Sequence, residues 1–225
     1  MNRNKAKKMA FKQNHVEFRP LDTAELDAWR AIPPAVASDC MNRTQVMRAA
    51  IKPISPGLRI CGQARTVTVM AGDCGPICSL ISITRPGEVL VVDAGGVADT
   101  AVWGGVMTEE AVHRNLGGAV IDGAVRDVAD MRRSGFAMFC SSIVPRGPHH
   151  GFGGDIDGTV AVAGVPVRSG DIVLGDDDGV VVVPLDQAAA VLAAAQAHLI
   201  KEEGWVSAIR RGISIPEMFA LPTAS

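Results

Sequence analysis

Gly118-Ala-Val-Ile-Asp122-Gly-Ala-Val-Arg126-Asp127 is the stretch on which the fold turns. The apolar run Ala119–Ile121 has the length and composition of a buried strand. Asp122-Gly123 carries turn chemistry, and two small residues later Arg126-Asp127 stands where a helix opens. An arginine beside an aspartate at a strand-to-helix junction can do two jobs. The guanidinium presents a planar fork to a carboxylate or enolate oxygen, and the carboxylate can hold a hard divalent cation, partly through water. Gly104-Gly105-Val106-Met107, about one supersecondary unit upstream, can offer bare backbone N–H groups to the same anion. The competing reading is ordinary: many Arg-Asp neighbours are helix-start charges or surface ion pairs.

Outward from that stretch, apolar runs and helix signals alternate. Asp22-Thr-Ala-Glu25 reads as a capping box opening a helix that stops before Pro33-Pro34, and a helical turn follows over 35–42. Residues 58–70 predict a strand, bent at Gly62. Gly75-Pro76 starts a helix to about Ile83, and 88–93 is a short buried strand. Ala94-Gly95-Gly96 opens a polar-small segment that ends in a helix over about 105–115. Strand 119–122, helix 128–134 and strand 137–141 complete an alternation that argues for parallel crossovers with helices covering a sheet. Downstream, 159–162, 165–167, 171–174 and 180–184 are closely spaced strands, with Asp176-Asp177-Asp178-Gly179 as a hairpin turn. Residues 185–203 read as one alanine-rich helix, with a tail after Gly204.

The chain has 225 residues, a formal net charge of -2 and 4% aromatics with no tyrosine. That is enough length for one substantial core. It provides neither the basic field nor the stacking platforms of nucleic-acid binding. No apolar stretch reaches bilayer-spanning length, and the basic start, Met1 to Lys8, lacks the apolar segment of a signal peptide. Residues 1–20 are expected to form a disordered tail and 21–225 a single catalytic domain. Five cysteines without zinc-ribbon spacing fit a reducing, cytoplasmic setting, with Cys74 and Cys78 read as core thiols.

A dinucleotide fingerprint and a Walker motif are both missing. The six lysines are Lys5, Lys7, Lys8, Lys12, Lys52 and Lys201, so none lies in the strand-and-glycine core. A Schiff-base mechanism has almost no lysine to use, and carbonyl chemistry would need a metal as electron sink. His149-His150 sits in a glycine-rich loop and reads as a pocket rim or interface. His15, His113 and His198 read as surface positions. Cys140 and Ser141-Ser142 have no base nearby in sequence, so nucleophilic catalysis has no support.

Taken together, Gly87 to Asp93, Trp103 to Met107, Gly118 to Asp127, Pro145-Arg-Gly-Pro148 and Gly175 to Pro184 resemble one family. It contains the regulator of ribonuclease activity A and the 4-hydroxy-4-methyl-2-oxoglutarate / 4-carboxy-4-hydroxy-2-oxoadipate aldolases. The likeness runs over roughly residues 35–205. It implies an α/β fold, a layered β/β/α swivelling (phosphohistidine-like) domain with crossover helices and a C-terminal helix, assembled as a homotrimer or homohexamer. It also implies a class II, metal-dependent lyase. Gly104, Gly105, Val106 and Met107 would bind the pyruvate-like part of a small 2-oxo acid, Arg126 would bind substrate and stabilise its enolate, and Asp127 would hold Mg²⁺ or Mn²⁺. The reaction implied is retro-aldol cleavage of a 4-hydroxy-2-oxo acid, oxaloacetate decarboxylation, or both. The family's other branch implies a non-catalytic regulator that binds a ribonuclease. One departure stands out: the aldolases carry an aspartate about twenty residues before the Arg-Asp pair, at the position of Gly105. Glu202 or Glu203 from a neighbouring subunit is the substitute the chain can offer.

Overall fold

The computed structural model describes residues 11–222. Its strands are β1 (Phe11–Gln13), β2 (Lys52–Pro53), β3 (Ile60–Val69), β4 (Val89–Trp103), β5 (Gly118–Val125) and β6 (Met138–Ile143), followed by the short β7 (Gly154–Ile156), β8 (Val160–Val162) and β9 (Val165–Val167) and the hairpin of β10 (Ile172–Asp176) and β11 (Gly179–Val183). The helices are α1 (Thr23–Arg30), α2 (Pro34–Cys40), α3 (Gly75–Ile83), α4 (Gly105–His113), α5 (Val128–Ser134), α6 (Ala188–Arg210) and α7 (Ile215–Met218).

β3, β4, β5 and β6 lie side by side and parallel, and α3, α4 and α5 are the crossovers between them. β3 serves two layers. Its later residues pair with β4 and β7, while Ile60 to Gln63 pair with β10. The side-chain alternation of each strand then sorts the apolar residues into layers. Leu90, Val92, Ala119 and Ile121 face the crossover helices with Ile77, Leu80 and Met131. Val89, Val91 and Val120 face the other way, onto Val160, Val162, Val173 and Val182. The outer face of the hairpin, Ile172, Leu174, Val181 and Val183, is covered by Trp29, Val36, Val191 and Ala195 of α1, α2 and α6. The result is the expected layered α/β fold with crossover helices and a C-terminal helix.

Local signals acted as expected at several ends. Asp22 and Glu25 form the reciprocal capping box of α1, and the two-residue turn of the β10–β11 hairpin falls between Asp176 and Gly179. Four readings are corrected. The tail expected over residues 1–20 lies outside the described residues as far as residue 10, but Phe11 to Gln13 pair in parallel with β7. Asp122-Gly123 makes no turn, because β5 runs on to Val125. Asp122 is instead buried and accepts from Ala163 N–H at 2.8 Å and Arg48 Nη2 at 3.2 Å, tying the β8–β9 region over the sheet. A Cβ on Gly123 would stand 2.8 Å from that of Ala94, so this glycine permits close strand packing. Ala94-Gly95-Gly96 does not end β4. The strand slips register after Asp93, with Gly95 and Gly96 at φ 66° and 69°, and resumes pairing with β5 through Trp103. Finally, α6 continues through Gly204 to Arg210.

Candidate active site

The chemistry predicted from sequence converges at the carboxyl ends of β4 and β5, where ligands bind in open parallel sheets. β4 ends at Trp103, and Gly104, in extended conformation, is the N-cap of α4. The indole N–H of Trp103 donates to Thr108 Oγ1 at 2.9 Å, and Thr108 Oγ1 donates to Gly104 O at 3.1 Å, fixing this junction from below. On the neighbouring strand, Arg126 N–H donates to Trp103 O at 3.0 Å, so the arginine is delivered beside the start of α4.

Asp127 is the N-cap of α5 but does not cap it. Its backbone is left-handed, φ 61° and ψ 34°, and its side chain accepts nothing from α5. Instead Oδ2 accepts from Gly105 N–H at 2.9 Å, the first helical residue of α4. That carboxylate is thus turned toward the neighbouring helix, at a backbone cost an aspartate tolerates better than most residues. Gly105, Val106 and Met107 are the first three residues of α4, whose N–H groups have no partner within their own helix. With Gly105 engaged by Asp127, the N–H groups of Val106 and Met107 remain to meet an anion.

Arg126 is clasped between two glycines. A Cβ on Gly104 would lie 3.1 Å from Arg126 Nε and 2.8 Å from Asp127 Oδ2, and one on Gly147 would lie 2.6 Å from Nη1. Gly147 is placed by Ala101 N–H, which donates to Arg146 O at 2.9 Å. Arg126 Nε is buried with no acceptor within hydrogen-bond reach, Asp127 Oδ2 being 3.6 Å away. Both side chains are partly open, 41% for Arg126 and 44% for Asp127. The guanidinium is held at ion-pair distance from Asp127 but is hydrogen-bonded to no carboxylate through Nε, which leaves donors for a ligand.

Gly104, Gly105, Val106, Met107, Arg126 and Asp127 all line one cavity of about 300 Å³. His150, read as a pocket rim or interface, also lines it, and sequence reasoning missed the rest of the wall, Cys74, Cys78, Gly147 and Pro148. The only available signal was the sequence neighbourhood of Gly147 and His150 in the glycine-rich loop. Neither Glu202 nor Glu203 lines it; Glu202 Oε1 lies 3.3 Å from His198 Nε2 on α6. Asp73 secures the rim. Its buried carboxylate accepts from the N–H groups of Gly75, Gly151, Phe152 and Gly153. Burial pushes this group up, but the four donors outweigh it and hold its pKa below the usual carboxylate value.

A second depression, of about 680 Å³, shares Gly105, Val106 and Asp127 and adds Glu109 and Asp130. A Cβ on Gly105 would stand 3.5 Å from Asp127 Cβ and 3.6 Å from Asp130 Oδ2, so the site has room for a side chain there that this chain lacks. Among the described residues, no group of three or more His, Cys, Asp or Glu is arranged to hold a metal. A lone half-open carboxylate with one engaged oxygen nevertheless suits Mg²⁺ or Mn²⁺, which are commonly bound through one or two carboxylates, water and substrate oxygens. A further cavity, about 340 Å³, lies at the amino ends of the strands beside Ile60, Gly87 and Gly117. Arg30 and Arg59 are its charged residues, and no carboxylate lines it.

Comparison with known proteins identifies the family. The RraA-like family model, Aldolase/RraA, matches residues 34–182, and the chain belongs to that family. A Halalkalibacterium halodurans protein, named as a proposed 4-hydroxy-4-methyl-2-oxoglutarate aldolase, is 32% identical over 192 residues, covering 84% of this chain and 91% of that protein. A Thermus thermophilus protein named 4-hydroxy-4-methyl-2-oxoglutarate aldolase is 29% identical over 147 residues, covering 65% and 89%. Among solved structures, Streptomyces coelicolor RraAS2, described as an unusual member of the RNase ES inhibitor RraA protein family, superposes with a TM-score of 0.75 at 28% identity, covering 85% of this chain and all of that one. Among the described residues, no helix is long and apolar enough to cross a membrane.

Proposed function

We propose that this member of the aldolase/RraA family is a divalent-metal-dependent lyase acting on small 2-oxo acids. The reaction is oxaloacetate decarboxylation, retro-aldol cleavage of a 4-hydroxy-4-methyl-2-oxoglutarate-type substrate, or both, through a pyruvate enolate. One observation carries this reading: an arginine whose Nε has no hydrogen-bond acceptor, a half-open carboxylate and the free N–H groups of a helix start all line one cavity.

The N–H groups of Val106 and Met107 bind the substrate carboxylate, and the Arg126 fork lies against the 2-oxo oxygen. When the bond beyond C3 breaks, its electron pair moves onto that oxygen, and Arg126 balances the charge from a position already set by Gly104 and Gly147. Asp127 would hold the divalent cation, whose chemistry there is to withdraw charge from the 2-oxo group. The lysine-free core supports this route over a Schiff base. Decarboxylation needs no base to start it, whereas retro-aldol cleavage must remove the 4-hydroxyl proton. With glycine at 105, that second task falls to water, His150 or a partner's Glu202 or Glu203, so decarboxylation is the better served of the two reactions.

Assembly into a trimer or hexamer belongs to the same proposal. The buried residues of α6 are Ala188, Val191 and Ala195, all in its first half, while Ile200, Val206 and Ile209 are exposed farther along. A cytoplasmic location is consistent with five free cysteines. The second reading, a non-catalytic regulator of a ribonuclease, draws on the likeness to RraAS2. It leaves the left-handed Asp127 and the clasped arginine without a task. Pyruvate release from oxaloacetate and from 4-hydroxy-4-methyl-2-oxoglutarate, with and without Mg²⁺ or Mn²⁺, tests the lyase. Metal-dependent turnover reduced about 10²- to 10³-fold by Asp127→Ala is expected. Turnover no faster than the free ion, together with inhibition of a ribonuclease, would favour the regulator.

A further inference from the structure

Cys74 and Cys78 have no part in the chemistry above, yet both line the cavity that holds Arg126 and Asp127. Cys74 is the N-cap of α3, and Cys78 N–H donates to Cys74 O at 3.0 Å, so the two stand one helical turn apart on one face. Both are free thiols, with Cys74 buried and Cys78 partly open. The other cysteines lie elsewhere: Cys40 ends α2, Cys61 is in β3 and Cys140 in β6, and none lines this cavity.

We propose that Cys74 and Cys78 form a peroxide-oxidised thiol pair whose disulfide closes inside the substrate cavity and reversibly blocks it. The activity consequence rests on the lyase reading; the oxidation does not.

Cys78, partly open where Cys74 is buried, is the sulfur an oxidant reaches first and so the attacking one, with Cys74 the resolving one. The neighbouring Cys74 thiol draws Cys78 below the ordinary thiol range against the effect of burial, while Cys74 is pushed up. Burial pushes Cys61 and Cys140 up to about 11, leaving them poor competitors for an oxidant. The Cys78 thiolate attacks one oxygen of a hydroperoxide and the O–O bond breaks. The departing oxygen takes up a proton and leaves as water or an alcohol, with Cys78 now a sulfenic acid. Cys74 sulfur then attacks Cys78 sulfur, and the displaced hydroxide leaves as water with the Cys74 proton. Two thiols and one hydroperoxide thus give one disulfide, one water and one water or alcohol. The two electrons lost by the sulfurs go to the O–O bond.

Blockage follows from where Cys74 sits. Cβ atoms one helical turn apart are about 5–6 Å from each other, whereas a disulfide brings them to about 3.8 Å. Closure therefore draws in the Cys74 end of α3. Cys74 N–H donates to His149 O at 3.1 Å, His149 N–H donates to Gly72 O at 2.7 Å, and the adjacent Asp73 anchors the loop from Gly151 to Gly153. The rim carrying His150 is pulled with it.

The test treats the full-length protein with equimolar hydrogen peroxide, then alkylates it under denaturing conditions and maps the peptides by mass. Alkylatable cysteines should fall from five to three, with one peptide holding a Cys74–Cys78 disulfide and lighter by two hydrogens. Cys74→Ser should stop at a sulfenic acid on Cys78 that dimedone traps. Cys78→Ser should keep its remaining thiols. Pyruvate release, each variant measured against its own untreated sample, should fall about 10²-fold in the native chain, the scale of a ~1 Å misplacement, and return with dithiothreitol. Five thiols surviving peroxide, or oxidation directed to Cys40, Cys61 or Cys140, would overturn the proposal. So would a disulfide that leaves pyruvate release unchanged. A protein with no lyase activity at all would defeat the lyase reading, and the thiol map would then decide the oxidation by itself.

Discussion

Arg65 and Arg126 each lie beside an aspartate with a left-handed backbone, Asp157 at φ 58° and Asp127 at φ 61°. Beyond that the two pairs differ at every point. Arg65 Nε and Nη2 grip both oxygens of Asp157, at 2.8 and 2.6 Å, and Nη1 reaches Glu88 at 3.3 Å. Ser169 Oγ adds a donor to Asp157 at 2.7 Å. These side chains are 12%, 5% and 9% exposed for Arg65, Asp157 and Glu88. Arg126 has its nearest carboxylate at 3.6 Å, no acceptor on Nε and about four-tenths of its side chain open. The same two residue types therefore serve one region as a closed fastener and the other as an open receptor. Burial and partner geometry, rather than adjacency in sequence, separate a structural ion pair from a candidate catalytic one.

The largest expected effect is on the closed pair. Arg65→Ala leaves Asp157 and Glu88 buried without their cation, which costs about 3–5 kcal/mol. For a chain of this length that is a fall in Tm of about 6–20 °C, read by thermal denaturation, while the activity of the still-folded fraction stays near normal. If the stability holds and activity falls instead, the division between the two pairs is wrong.

Gly147→Ala should show the opposite pattern. The new Cβ would meet Arg126 Nη1 at 2.6 Å, but that atom ends a flexible side chain and can move away. Stability should change by no more than about 0.5 kcal/mol, while pyruvate release falls about 10²-fold through a ~1 Å shift of the guanidinium. Steady-state kinetics beside a melting curve separates the two.

The smallest effect is expected at the rim. Asp73→Asn sets an amide NH₂ against backbone donors that now face a carboxylate oxygen, costing about 1–3 kcal/mol. In the native protein the pKa of Asp73 is lowered. Its contribution is thus fully present above the ordinary carboxylate pKa of about 4 and is lost only as pH falls through the lower folded value. Hydrogen exchange of Gly151 to Gly153 should stay slow at pH 5 in the native chain and be fast in the variant.

Much of this was legible in sequence where the signal was local. The capping box at Asp22, the Gly75-Pro76 start of α3 and the Asp176–Gly179 turn each depend on a few adjacent residues, and each sits where expected. What escaped depends on distant partners. Gly123 reads as a turn but answers to Ala94 across the strand pair. Ala94-Gly95-Gly96 reads as a break, yet β5 recovers the strand beyond it. Gly204 costs an exposed helix only about 1 kcal/mol, too little to end α6. At the site, the glycine loop and the Arg126-Asp127 pair were visible because they flank two strand ends. Cys74 is buried as its core reading expects, but nothing local reveals that α3 packs beside α4 and places Cys74 and Cys78 in the cavity wall.

Oxalate, a planar mimic of the pyruvate enolate, gives the most direct test of the central claim that Arg126 and Asp127 serve one oxyanion. Isothermal titration should show oxalate binding that requires Mn²⁺ or Mg²⁺, abolished by Asp127→Ala and weakened about 10²-fold or more by Arg126→Ala. Oxalate binding that is indifferent to the metal, or equal in Arg126→Ala and the native chain, would contradict it.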